Sequence, residues 1–470
     1  MAVSDTRAES VLRSLGALAV PIVLANTVQT SHQLINTFWV GRLGANAVAA
    51  VSVSFPVIFL LIALGGGLSI AGSILAAQYA GARNAAMVNR VAGQTLGVTA
   101  AVALLLTATG IWAAPHLLQL MRVTPAVFSD ALLYLRISFA GILWVFAFAM
   151  YESLMRAVGD TKRPLCLIAA GVVLNIALDP LLIFGWGPVP AFGVAGAAWA
   201  TLITQTACAL IGLRLLFSAR FGLELSMRDL WPDWPLILRI ARLGFPASLS
   251  QAMQALSIST VTALVASFGT IALAAYGVGF RVLTFVMIPA IGISMASAVM
   301  VGQSIGAGES ARAERVTRVA ALLGLVLLGI AGLAIALAAE PIVRVFVPQD
   351  PLLVAASAEG LRWMAMSFAF TGVQLALSGT FRGAGDTAAT LLLSAVGAWL
   401  VLLPIATMLA RHTTLGVTGI WIAYPVAGVI NTAIALAYYR YGRWRRIRLT
   451  PERRLESQVS AEIVVEEGQS

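Results

Sequence analysis

Twelve apolar runs, each long enough to cross a lipid bilayer, follow one another along almost the whole chain. They lie roughly at 15–38, 47–77, 90–113, 126–155, 164–186, 192–217, 237–265, 270–302, 315–338, 353–380, 388–410 and 415–439. A helix needs about 20 such residues to span the hydrocarbon, and it alone satisfies its backbone polar groups within one segment. Charged residues are 11% of the sequence, against about 25% in soluble proteins, so a set of water-soluble domains is excluded. Transmembrane β-strands would be shorter and alternate in polarity. The chain reads as an all-α polytopic membrane protein, with no enzymatic role expected. The first run is too long for the apolar part of a cleavable signal peptide and lacks a clear cleavage site. Cys166 and Cys208 fall inside predicted helices without paired spacing, which supports neither a disulfide framework nor a metal site.

The net charge of +10 would suit a nucleic-acid partner, but its placement points to the bilayer instead. With the N-terminus inside, the even-to-odd connections and both tails hold 23 of the 30 basic residues, and the opposite side holds only Arg42, Arg122, Arg344 and Arg411. The remaining three fall within predicted helices. This positive-inside bias predicts that both termini are cytoplasmic. The tail "RYGRWRRIRLTPERR" is expected to rest on anionic headgroups, and "LESQVSAEIVVEEGQS" beyond it reads as disordered.

The runs also repeat. Pro21, Gly44, Gly67, Ser69, Gln78 and Gly81 recur 225 residues later as Pro246, Gly269, Gly292, Ser294, Gln303 and Gly306. "MRAVGDT" at 155–161 recurs as "FRGAGDT" at 381–387, and Arg136 has a counterpart in Arg362. The expected organisation is a six-helix bundle over 1–216, a polar connector over 217–236, a second six-helix bundle over 237–440 and a tail over 441–470. Six spans per copy give both copies the same orientation, so they are parallel repeats about an axis along the membrane normal. That arrangement is typical of secondary transporters, with the substrate site near the midplane between the halves. A duplicated channel or a non-transporting scaffold is the alternative. The chain's single lysine, Lys162 in "GDTKRP", fits no phosphate-binding loop, so an ATP-driven pump is set aside. In both "GDT" loops, Asp160 and Asp386 precede a new helix and are expected to cap it.

Of the acidic residues, Asp179 alone falls well inside an apolar run, in "VLNIALDPLLIFG". A charged group at that depth costs at least a few kcal/mol, so it usually faces a cavity and has a task. Asn175, one turn earlier, shares its helix face, and Pro180 frees a carbonyl one turn back. These oxygens suit a hard cation such as Na⁺; a desolvated carboxyl could instead hold a proton. An Asp held by a neighbouring Arg or by a helix N-terminus is the structural alternative. The second half places Val401 and Ile405 at the matching positions.

"RAVGDTKRP", "LNIALDP", "GVAGAAWATL", "FWVGRLGANAVAAVSVSFP" and "GQSIGAGE" together resemble the prokaryotic multidrug and toxic compound extrusion family over residues 12–440. The resemblance implies two six-helix bundles around a central cleft, and antiport of amphipathic, cationic organic compounds against H⁺ or Na⁺, with no other cofactor. It implies a monomer in the lipid bilayer whose partners are small organic substrates rather than nucleic acid. In many members an Asp on helix 1 joins an Asn and an Asp on helix 5 and a Thr on helix 6. The last three map to Asn175, Asp179 and Thr201, whereas the helix 1 position is Asn36 here. That departure removes a negative charge from the cation site. His32, one turn before Asn36, offers a proton-carrying group in its place, or simply a hydrogen-bonded member of a polar stripe.

Such a stripe is visible in "NTVQTSHQLINTFW". Asn26, Gln29, Gln33 and Asn36 step at three or four residues, and Gln251, Gln254 and Ser257 repeat the theme on helix 7. Two polar faces on related helices are expected to line a shared wet cleft, the alternative being hydrogen bonds between helices. Tyr151, in a run with Trp144, Phe146 and Phe148, could stack on a planar substrate or pack internally. A rival within transport is a lipid-linked saccharide flippase of the related superfamily, for which Arg281, Arg136 and Arg362 are the intramembrane candidates.

Overall fold

The computed structural model describes residues 2–218, 224–347 and 350–450. Long helices follow the apolar runs: α1 Ala2–Gly41, α2 Ala45–Gly81, α3 Ala85–Leu120, α4 Pro125–Ala157, α5 Lys162–Phe184 and α6 Val194–Leu216 in the first half. The second half holds α7 Trp234–Ala266, α8 Thr270–Gly306, α9 Ser310–Leu337, the short α10 Ala339–Phe346, α11 Pro351–Met366 and α12 Phe368–Ala384, followed by α13 Thr387–Ala395, α14 Leu403–Arg411 and α15 Val417–Tyr441. Among the described residues, eleven helices are apolar and long enough to cross a membrane. α11 and α12 form a twelfth span bent by 46°. At that bend the Ser367 hydroxyl donates to the Met364 carbonyl at 2.6 Å, drawing it off the helical ladder. Within the span Thr387–Arg411 the chain widens into a π-helical stretch at Val396–Leu402, where Asn431 Nδ2 donates to the Gly397 carbonyl at 3.2 Å.

Of the four largest hydrophobic cores among the described residues, two are shared between the halves and two are not. α1 contributes Val11, Leu15, Ala19 and Ile22 to the core of the second half. In return, α7 contributes Leu236, Ile240 and Leu243 to the core of the first. All of these lie at the end that carries the chain's two tails and most of its arginines, here called the basic end. Towards the opposite end each half closes on itself, the first around Phe139 and Phe146 and the second around Phe368 and Trp421. The halves are therefore joined at the basic end and part towards the other.

The joint is a crossing of α2 and α8. A Cβ on Gly81 would lie 1.9 Å from the Gln303 carbonyl oxygen, and one on Gly306 would lie 1.8 Å from that of Gln78. Only glycine permits so close an approach. The same glutamines tie each helix to the opposite half. Gln78 Nε2 donates to the Gly383 carbonyl at 3.1 Å, and Gln303 Nε2 donates to the Ala157 carbonyl at 2.9 Å.

Connector and tail both pack at this end. Gln94 of α3 donates to the carbonyls of Asp229 and Trp231 at 2.6 and 2.7 Å and accepts from Asp233 N at 2.9 Å. Of the tail expected on headgroups, the described part packs its apolar residues on protein and leaves Arg443, Arg446 and Arg448 exposed. Trp444 is buried, Arg445 pairs with Glu314 at 2.9 Å, and Leu449 N donates to Gln78 Oε1 at 3.3 Å. The Leu449 carbonyl accepts from Arg239 at 3.3 Å. Apolar Trp444, Ile447 and Leu449, interleaved among the arginines, explain this preference. The segment read as disordered lies outside the described residues.

Gly306→Val should force α2 and α8 apart at the basic end, with an overpacking cost of about 1–3 kcal/mol. A lower melting temperature for the purified variant is the expected outcome. An unchanged melting curve would mean the crossing is not needed for stability.

Candidate functional site

α5 starts where Asp160 Oδ1 accepts from the Arg163 N–H at 3.2 Å, the capping role expected of that loop; Asp386 does the same for Ala389 N at the start of α13, also at 3.2 Å. α5 then packs against α1 and α6. One face carries Asn175 and Asp179, both with no exposed surface. His32 of α1 turns towards it, and its Nε2 stands 2.6 Å from Asn175 Oδ1. With the amide oxygen as acceptor, Nε2 is the protonated nitrogen. Pro180 sits within the helix, so the Ile176 carbonyl lacks its usual N–H donor.

Asp179 is the anomaly of this site. Neither carboxylate oxygen has a hydrogen-bond partner, and Asn175 Nδ2 has none either. Among the described residues no basic side chain pairs with it, which removes the structural alternative of an arginine counter-ion. Buried polar atoms are nearly always satisfied, and an unpaired charge there is expensive. Such a group needs a transient partner: a bound cation or a bound proton. Tyr134 of α4 stands within Coulombic range of Asp179. On α6, Thr204 Oγ1 and Gln205 Oε1 are likewise buried and unpartnered. Neither of these nor Tyr134 was singled out from the sequence. Their signal was present in "TLITQTACAL", a polar cluster inside an apolar helix.

The remaining candidates divide. Thr201 is half-buried at mid-α6, and Asn36 half-buried on α1; among the described residues neither hydrogen-bonds to Asp179 or Asn175. Asn175 Oδ1 is already engaged by His32, so a cation would draw mainly on Asp179 and nearby neutral oxygens. Gln33 and Gln251 are exposed and Gln29 half-buried, and Gln251 Nε2 would lie 3.2 Å from a Cβ on Gly66, at the level where the halves meet. Gln254 turns aside and donates to Ser394 Oγ of α13 at 3.3 Å. Ser257 is buried, at 5% exposure. Tyr151 is corrected: it has no exposed surface and packs against α6 at Gly212, where a Cβ would lie 2.8 Å from its ring. A residue so enclosed does not line a cleft.

Comparison with known proteins comes in three parts. The MatE family profile matches residues 21–181 and 246–408, one stretch in each half. The chain is 33% identical over 445 residues to the probable multidrug resistance protein YoeA of Bacillus subtilis, covering 94% of this chain and 96% of that one. It is 31% identical over 428 residues to the probable multidrug resistance protein NorM of Bradyrhizobium diazoefficiens, covering 90% and 92%. Among solved structures, an outward-facing multidrug resistance MATE family transporter superposes with a TM-score of 0.87 at 25% identity, over 94% of this chain and 97% of that one.

If Asp179 awaits a transient partner, Asp179→Asn removes an uncompensated charge and should not lower the melting temperature. His32→Ala should lower it, because it strands a buried amide oxygen at a cost of about 1–3 kcal/mol. Melting both purified variants in detergent checks this. A large drop for Asp179→Asn would assign that carboxylate to structure.

Proposed function

The chain belongs to the MatE family, and from that membership we propose that it is a secondary antiporter exporting amphipathic organic compounds, driven by inward movement of H⁺ or Na⁺. The observation that carries the coupling assignment is Asp179, a fully buried carboxylate with both oxygens unpartnered. It can exist stably only when neutralised by a proton or a cation. Alternation between loaded and empty forms would change how α5 packs on α1, with the His32–Asn175 hydrogen bond as the link between them. His32 is then a positioning residue, and Thr201 supplies a neutral oxygen on the α6 side.

The basic end faces the cytoplasm in this reading, by the arginine distribution, and the membrane is the bacterial inner membrane. The parting of the halves away from that end is then an outward-open state, the state named for the solved relative of matching fold. A cationic substrate, expected from the family resemblance, would find its only intramembrane carboxylate at Asp179, and that group is sealed from the cleft in this state.

Export is tested in everted vesicles with a cationic dye (ethidium) and an anionic one (carboxyfluorescein), each driven separately by a pH gradient and by a Na⁺ gradient. At least one dye should accumulate with at least one gradient, and Asp179→Asn should abolish the accumulation while expressing normally. Dye accumulation unaffected by Asp179→Asn would refute the coupling role; no accumulation of either dye by the wild type would count against export. Asn36→Asp adds a second carboxylate for a hard cation and should increase the dependence on Na⁺. Alkaline phosphatase fused after residue 440 should be inactive, and activity there would reverse the orientation.

A further inference from the structure

One face of α8 can be followed along the helix. At Gly306 and Gly302 it is buried against α2, Gly306 on Gln78 and Gly302 on Ala77, and at Gly292 against Val23 of α1. Phe285 and Arg281 lie two and three turns further on, beyond Pro289, within about 20° of Gly292 around an unkinked axis at about 100° per residue. There the same face is open. Phe285 is 43% exposed and Arg281 is exposed, because this is the level at which the halves part. The matching face of α2, 225 residues earlier, shows Phe59 and Leu60 at 45% and 46% exposure.

Arg281 is thus exposed on the side of α8 that continues from the α2 crossing, and nothing balances it. Among the described residues it has no carboxylate within 4 Å, whereas seven other arginines do. α1, α2, α7 and α8, the helices that meet between the halves, carry no acidic residue over residues 10–41, 45–81, 234–266 and 270–306. The other polar groups on these faces, such as Gln33 and Gln251, are neutral. An ionised side chain inside a membrane-spanning segment faces a wet cavity and has a partner or a task. A planar guanidinium between aromatic and aliphatic walls suits an oxyanion carried on an apolar body.

We propose that Arg281 recognises an anionic group (carboxylate, sulfonate or phosphate) on the exported amphiphile, whose apolar body lies between Phe285 and the Phe59–Leu60 face. The physiological meaning rests on the export reading above, but the binding site does not, and the two are measured separately. Asp179 serves the coupling ion and Arg281 serves the substrate, so the two charges sit on different halves and do different work.

The test is binding of carboxyfluorescein and ethidium to the purified, detergent-solubilised full-length protein, followed by fluorescence anisotropy. Wild type should bind carboxyfluorescein, and less tightly as NaCl is raised. Arg281→Gln should weaken that binding about tenfold or more, leaving ethidium binding unchanged or improved. Arg281→Lys keeps the charge and should fall between the two. No carboxyfluorescein binding by wild type, or equal binding by wild type and Arg281→Gln, overturns the proposal. A parallel loss of ethidium binding would mark a structural effect and overturn it too. Failure of both dyes to accumulate in vesicles, with selective binding intact, would instead count against export.

Discussion

The α2–α8 crossing at Gly81 and Gly306 is the contact on which the arrangement of the halves depends. Two helices there meet backbone to backbone, each carrying a glutamine that reaches a carbonyl of the other half. The partners Ala157 and Gly383 are themselves 226 residues apart, so the closure obeys the same pseudo-symmetry as the sequence. A joint made of two equivalent contacts can part by rotation of one half against the other without remodelling either bundle. Each glutamine–carbonyl bond contributes about 1 kcal/mol net, few enough for an ion's binding energy to compete with. The tail adds a third element to this closure, since Leu449 bonds to Gln78 and to Arg239 and packs beside the Gly385 turn.

The symmetry of the closure makes the asymmetry of the midplane informative. In the first half, α5 is a regular helix with Asn175 and Asp179 buried on one face. In the second, the matching span opens into a π-helical stretch, and Val401 stands in it where Asn175 would be. Widened helical turns recur at functional places, but this one presents apolar side chains. Its loosened backbone is met by Asn431 rather than by an ion ligand. Among the described residues, the buried unpartnered carboxylate belongs to the first half alone, and the arginine proposed to meet substrate belongs to the second.

Much of this was legible in the sequence, for identifiable reasons. Spans were found because bilayer thickness sets a minimum length, and the repeat because glycine and glutamine at the crossing tolerate no substitute. Helix ends were underestimated, as with α2, which runs on to Gly81 beyond the apolar stretch, because hydropathy reports lipid and not hydrogen bonding. Asp179 stood out by composition alone. Tyr151 was misjudged because exposure of an aromatic depends on its neighbour, here the small Gly212 that admits its ring. The tail's packing on protein was missed because its charge was weighed above the apolar residues between the charges. The direction of Arg281 needed one more fact, namely which face of α8 meets the first half.

α1 is the element through which these parts communicate. Its first turns, from Val11 to Ile22, belong to the core of the second half, while His32, three turns beyond Ile22, bonds to Asn175 of the first. One helix is thus anchored in one half and attached, about three quarters of the way along, to the proposed ion site of the other. α7 is exchanged in the opposite sense, but its equivalent of His32 is Ser257, a buried hydroxyl with no titratable neighbour of that kind. In the proposed reading, a change of charge on α5 would be felt by the second half through α1, with no matching site there to reply. One-way coupling through one helix is what the proposed antiport with a single buried carboxylate would need. The duplicated fold would supply the two moving bodies, and the loss of symmetry at one helix pair the ion's control over them.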